Sequence, residues 1–121
     1  MTLQDCYAAL GGDYANARAR LRSDRLVEKF VLKFLNDKSY ELFLSSMANK
    51  DYDEAFRAAH TIKGVCQNLS FSRLLESSSL MSDALRNGYT PAADELTERL
   101  GTDYNNTIDA IKRYKTECEG N

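Results

Sequence analysis

Between residues 51 and 69 apolar side chains recur every three to four positions. Projected at about 100° per residue, Ala55, Phe56, Ala58, Ala59, Ile62, Val65, Cys66 and Leu69 fall on one arc centred near Ile62 and Ala55. That is the pattern of an amphipathic helix with one buried face. Asp51, with Glu54 three residues on, gives it a capping-box-like start. Earlier in the chain, Asp13 caps a short helix over 13–22. Ser23 caps a second, which carries Leu26, Val27, Phe30, Val31, Phe34 and Leu35. Residues 36–39 break the pattern. Tyr40, Phe43, Leu44 and Met47 then form the inner face of another helix, and 49–51 break again. After the long helix ends near Leu69 and Ser70, Ser72 caps the next, with Leu74, Ser78, Met81 and Leu85 as its inward stripe and Gly88 as its stop. Thr90-Pro91 opens the last helix, a cap residue followed by proline at the first helical position. Leu96, Leu100, Tyr104, Ile108 and Ile111 carry it to about Lys115, and 116–121 are expected to fray.

The predicted fold is therefore all-α: an antiparallel four-helix bundle with a short N-terminal helical cap over one end. Proline occurs once in 121 residues, and no β-type alternation, internal repeat or linker interrupts the pattern. The length fits one domain spanning 1–121, and a hydrophobic fraction of 43% suffices for one modest core.

Charge and cysteine content narrow the function. The formal net charge is -2, with acidic and basic residues mixed, so the basic stripe of a nucleic-acid binder is missing. No apolar run approaches the ~20 residues that span a bilayer. The first residues lack the basic and apolar regions of a signal peptide. Cys6, Cys66 and Cys118 are far apart and odd in number, which suits neither a disulfide framework nor a clustered metal site. Cys66 falls on the apolar arc and is expected to be a buried thiol. With a single histidine, a zinc site has too few ligands. A cytoplasmic, monomeric protein without metal or other cofactor is the expectation.

That single histidine, His60, lies roughly 140° from the centre of the apolar arc. It shares the polar side with Asp53, Arg57, Gly64, Gln67 and Asn68, while Lys63 sits at the boundary and can snorkel outward. Gly64 follows His60 by one turn. A mid-helix glycine costs about 1 kcal/mol relative to alanine, and unlike Gly11, Gly12 and Gly88 it has no turn to serve. The simplest gain is space beside the imidazole. Each feature alone is commonplace, an exposed histidine or a packing glycine. Together they single out one face.

Chemistry narrows the choice further. No Gly-rich nucleotide loop is present, and the carboxylates form no catalytic array. An imidazole nitrogen can accept a phosphoryl group, and Lys63 and Arg57 can attract and partly neutralise it. The string His60-Thr61-Ile62-Lys63-Gly64, preceded by Ala58-Ala59 and followed by Leu69, the 74–86 pattern and Leu85-Arg86-Asn87-Gly88, resembles the histidine-containing phosphotransfer domains. The resemblance covers 51–88 in sequence and the whole chain in helix number and length. It implies a four-helix bundle that relays a phosphoryl group between receiver-domain aspartates, with His60 as acceptor. Lys63 would lie near the phosphoryl group and Gly64 would clear space for the receiver. A polar residue on the following helix would orient the imidazole, with Ser82 at about the expected place and Ser78 and Ser79 as rivals. Receiver domains of response regulators are the implied partners, with a hybrid sensor histidine kinase as a further one, and the divalent metal of the reaction belongs to the receiver. Phe56, Arg57 and Gln67 are the candidate docking residues, with Tyr40 and Phe43 weaker ones. Ser70 stands where such domains often have glycine, which puts the helix exit in question. Two other readings remain open: a helical interaction module that docks a partner without carrying phosphate, and a partner that hastens loss of phosphate from a receiver.

Overall fold

Thr2 and Asp5 close the first turn of the chain. The Thr2 backbone N–H donates to Asp5 Oδ2, and the Asp5 N–H donates to Thr2 Oγ1, both at 3.0 Å. This reciprocal cap starts α1, Leu3–Leu10. The computed structural model describes residues 1–119. After α1 come α2 (Tyr14–Leu21), α3 (Asp24–Lys33), a 3-10 turn (Phe34–Asn36), α4 (Ser39–Ala48), α5 (Tyr52–Leu69), α6 (Ser72–Leu85) and α7 (Pro91–Glu119). The described residues contain no strand.

Helices α4 to α7 form the antiparallel bundle. Links of a few residues oblige successive helices to reverse direction. α5 packs on α4 and α6, and α7 packs on α6. The core is built from the buried stripes of these helices: Phe43, the small residues Ala55, Ala58 and Ala59 with Ile62, then Leu74, Met81, Leu85, Leu100 and Ile111. Three alanines on the inner face of α5 let its neighbours approach closely.

The N-terminal segment seals the corner where α5 turns into α6. Tyr7 Oη donates to the Leu69 carbonyl at 2.8 Å. The Asp13 N–H donates to the Ser70 carbonyl at 2.8 Å, and the Arg73 N–H donates to the Gly11 carbonyl at 3.0 Å. A Cβ on Gly12 would stand 2.9 Å from that same Ser70 carbonyl oxygen, so only glycine fits there.

α1 was not among the helices the periodicity predicts, because two turns offer too few repeats to read. It lies along α7, where the Cys6 thiol donates to the Ala110 carbonyl and the Met1 amino group pairs with Glu117 at 3.4 Å. That contact explains a second difference. α7 does not stop near Lys115 but runs to Glu119, with Tyr114 buried. Frayed ends were expected at Gly120 and Asn121 as well, but those two lie outside the described residues.

Two assignments are corrected. Leu44 is not on the inner face of α4. It is exposed, and the buried stripe runs through Phe43 and Ser46, with Tyr40 and Met47 half-buried beside them. Leu44 sits 100° beyond Phe43 on the helix, past the edge of the core. Ser72 does not cap α6. It is the first helical residue, and Phe71 occupies the cap position without a side-chain bond. Phe71 is fixed there because its ring is buried between Tyr7 and Phe34, centres 5.5 and 5.4 Å away.

Candidate functional site

α5 begins at Asp51, whose carboxylate accepts from the Glu54 N–H at 3.2 Å. The inward face of Ala55, Ala58, Ala59, Ile62, Cys66 and Leu69 is buried and fixes the helix's rotation. His60 is consequently exposed, as its phase requires. Among the described residues its imidazole has no hydrogen-bond or ion-pair partner. Its ring stacks beside that of Phe56, one turn earlier, with ring centres 5.9 Å apart and planes 23° from parallel.

His60 forms a ridge with different flanks. On one side are Phe56 and half-buried Lys63, about 40° and 60° around the helix. Lys63 has no carboxylate partner among the described residues. Arg86, the residue that caps the C-terminal end of α6, reaches this flank: its guanidinium stands 5.7 Å from the centre of the Phe56 ring while Nη2 pairs with Asp83 Oδ1 at 3.0 Å. Arg57, by contrast, is engaged by Glu54 at 2.7 Å.

On the other side are Thr61, Gly64, Val65 and Asn68. They form one wall of a groove of about 700 Å³, whose opposite wall is Phe30, Lys33 and Phe34 with the turn that follows. A Cβ placed on Gly64 would meet nothing within 4 Å. Gly64 is therefore not a helix-packing glycine. Two turns beyond His60, Gln67 is exposed, and its backbone carbonyl accepts from Arg20 Nη1 at 2.8 Å.

The serines of α6 turn out differently from one another. Ser82 is fully buried and its Oγ has no hydrogen-bond partner, so it is not bonded to His60. The Ser78 hydroxyl is spent on the Leu75 carbonyl at 3.1 Å, while Ser79 is half-buried. Of the weaker docking candidates, Phe43 is completely buried and Tyr40 half-buried against Tyr104, so Phe43 presents nothing to a partner.

The helix ends at Ser70 in the left-handed region, φ 56° and ψ 41°. The exit expected of glycine is thus made by serine. Its hydroxyl donates to Asn16 Oδ1 at 2.6 Å, and the following Phe71 N–H closes onto the Cys66 carbonyl.

The family model for the Hpt domain matches residues 3–113, which takes in both flanks of the ridge. The chain belongs to the Hpt domain family. Neither a curated protein nor a solved structure matches it. An Hpt domain is a helical phosphocarrier module that works with receiver domains in a phosphorelay, and the bundle described above is of that kind. No helix among the described residues is long and apolar enough to cross a membrane.

Sequence reading missed Arg86 and the α3 side of the groove. Arg86 was legible in principle: it follows Ser82 by one turn and so shares its direction toward α5. Phe30 and Lys33 were not, because nothing in the local pattern says which face of α3 meets α5.

Proposed function

We propose that this Hpt domain carries a phosphoryl group on His60, taking it from the aspartyl phosphate of one receiver domain and passing it to another. The observation that carries this reading is the open space at Gly64 beside the chain's one histidine. A ring nitrogen with a free lone pair attacks the phosphorus. The N–P bond forms as the P–O bond to the receiver's carboxylate breaks, and the electron pair leaves with that carboxylate. The imidazole must be neutral at the attacking nitrogen and keep its proton on the other.

Lys63 supplies positive charge near the phosphoryl oxygens without competing carboxylate pairing. Gly64 leaves room for the receiver to bring its phosphate in line. The receiver docks across the ridge, meeting Phe56, Arg57 and Gln67 on α5 and the groove walls at Val65 and Phe30. Its own divalent metal and lysine provide most of the transition-state stabilisation. The chain then needs no cofactor and acts as a carrier, not a self-sufficient enzyme. A monomer in the cytoplasm, fed by a hybrid sensor kinase, completes the reading.

The test is incubation with a phosphorylated receiver, followed by mapping of acid-labile, alkali-stable phosphate. Label on the peptide containing His60 supports the proposal. Release of inorganic phosphate with no phosphohistidine would favour a phosphatase-like partner, and binding without either would favour an interaction module. Both results contradict the carrier reading.

A further inference from the structure

An exposed histidine side chain ordinarily samples several rotamers. Attack on phosphorus needs one of its nitrogens held in line with the bond that breaks. Among the described residues no hydrogen bond does the holding. Ser82 is buried without a partner, and among the described residues no other polar side chain bonds the imidazole. What meets the ring is the face of Phe56, near-parallel and offset at 5.9 Å. That separation is within the range of favourable aromatic stacking, and the spacing of four residues is the one that brings helical side chains together.

Phe56 is itself restrained. It is half-buried with one side against the core. The Arg86 guanidinium stands over its ring at 5.7 Å, a cation–π distance, and Asp83 in the last turn of α6 holds Arg86. Asp83, Arg86, Phe56 and His60 thus form a continuous line of contacts from α6 to the acceptor.

We propose that Phe56 is the positioning residue for His60, orienting the imidazole by stacking, and that Arg86 clamps Phe56 in place from the end of α6. This rests on the reading of His60 as phosphoacceptor. This role is separate from any contact that Phe56 makes with a docked receiver and needs none with the phosphate. It narrows the directions in which the ring nitrogens point, and leaves both free of hydrogen bonds.

The experiment separates positioning from docking by removing the receiver. Phosphoramidate serves as donor: the His60 N–P bond forms as the P–N bond of phosphoramidate breaks, ammonia leaves with the electron pair, and the proton released from the ring goes to water. Phe56→Leu keeps bulk for the core but removes the aromatic face, and Phe56→Tyr restores it. Arg86→Ala leaves the core untouched. The expected result is that Phe56→Leu is phosphorylated several-fold to about tenfold more slowly, Phe56→Tyr recovers the rate, and Arg86→Ala falls between.

The chain's one histidine gives a second readout. Its imidazole C–H resonances should be displaced by the Phe56 ring current, retained in Phe56→Tyr and moved to random-coil positions in Phe56→Leu. Equal phosphoramidate rates for wild type and Phe56→Leu, or resonances unmoved by that change, would overturn the proposal. Loss confined to transfer from a receiver would make Phe56 a docking contact only, which also overturns it. A wild-type chain that accepts phosphate from neither donor would instead refute the acceptor reading.

Discussion

The hydroxyl of Ser70 donates to the side-chain carbonyl of Asn16 at 2.6 Å, joining the end of α5 to α2. Ser70 is in a left-handed conformation that costs a non-glycine residue about 1–2 kcal/mol. The Asn16 bond offsets part of that cost. Ser70→Ala keeps the strain and loses the bond, so denaturant melts should show a loss of about 1 kcal/mol. Ser70→Gly loses the bond but relieves the strain, and should stay near wild-type stability. Equal destabilisation by both changes would contradict this account.

Much of the fold was legible because α5 to α7 are long enough to repeat their pattern several times. Ile62, Cys66 and Leu69 announce one face of α5, and the exposure of His60 follows from it. The short elements were harder. α1 shows only Leu3, Cys6, Tyr7 and Leu10 on its buried side, and its helical character depends on the Thr2–Asp5 cap and on packing against α7. The site was legible where it lies on one helix and opaque where two helices meet. Gly64 could be read from α5 alone. The Arg86–Phe56 contact and the groove wall at Phe30 depend on how α6 and α3 rotate against α5, which one helix's periodicity does not encode.

Gly64 has open space where a side chain would go. Gly64→Gln should therefore raise stability by about 0.5 kcal/mol or more, since glycine is the poorer helix former. Transfer from a receiver should fall steeply, because the added side chain stands in its approach. Thermal melts and receiver-to-Hpt transfer rates check both halves. A normal transfer rate would show that clearance at Gly64 is irrelevant.

The three cysteines should differ sharply in reactivity. Burial pushes the Cys6 thiol up to about 11 and the Cys66 thiol higher still, whereas Cys118 is exposed. The thiolate is the reactive form. Alkylation of the native chain near neutral pH, read by mass spectrometry, should modify Cys118 and spare the other two until the chain unfolds. Fast labelling of Cys66 in the native state would contradict its place in the core.

Lys63→Ala should slow phosphoryl transfer or shorten the phosphohistidine lifetime without abolishing acceptance. Lys63 contributes charge, and the bond is made by His60. Single-turnover transfer followed by a decay time course measures both. Unchanged rate and lifetime would remove Lys63 from the mechanism.

The most direct test of the central claim is His60→Gln, assayed with labelled phosphate on a phosphorylated receiver. Glutamine suits an exposed helical site, so helicity should be retained and stability should change by no more than about 0.5 kcal/mol. No label should enter the folded variant, because the chain has no other histidine. Full incorporation of acid-labile phosphate into His60→Gln would contradict the account.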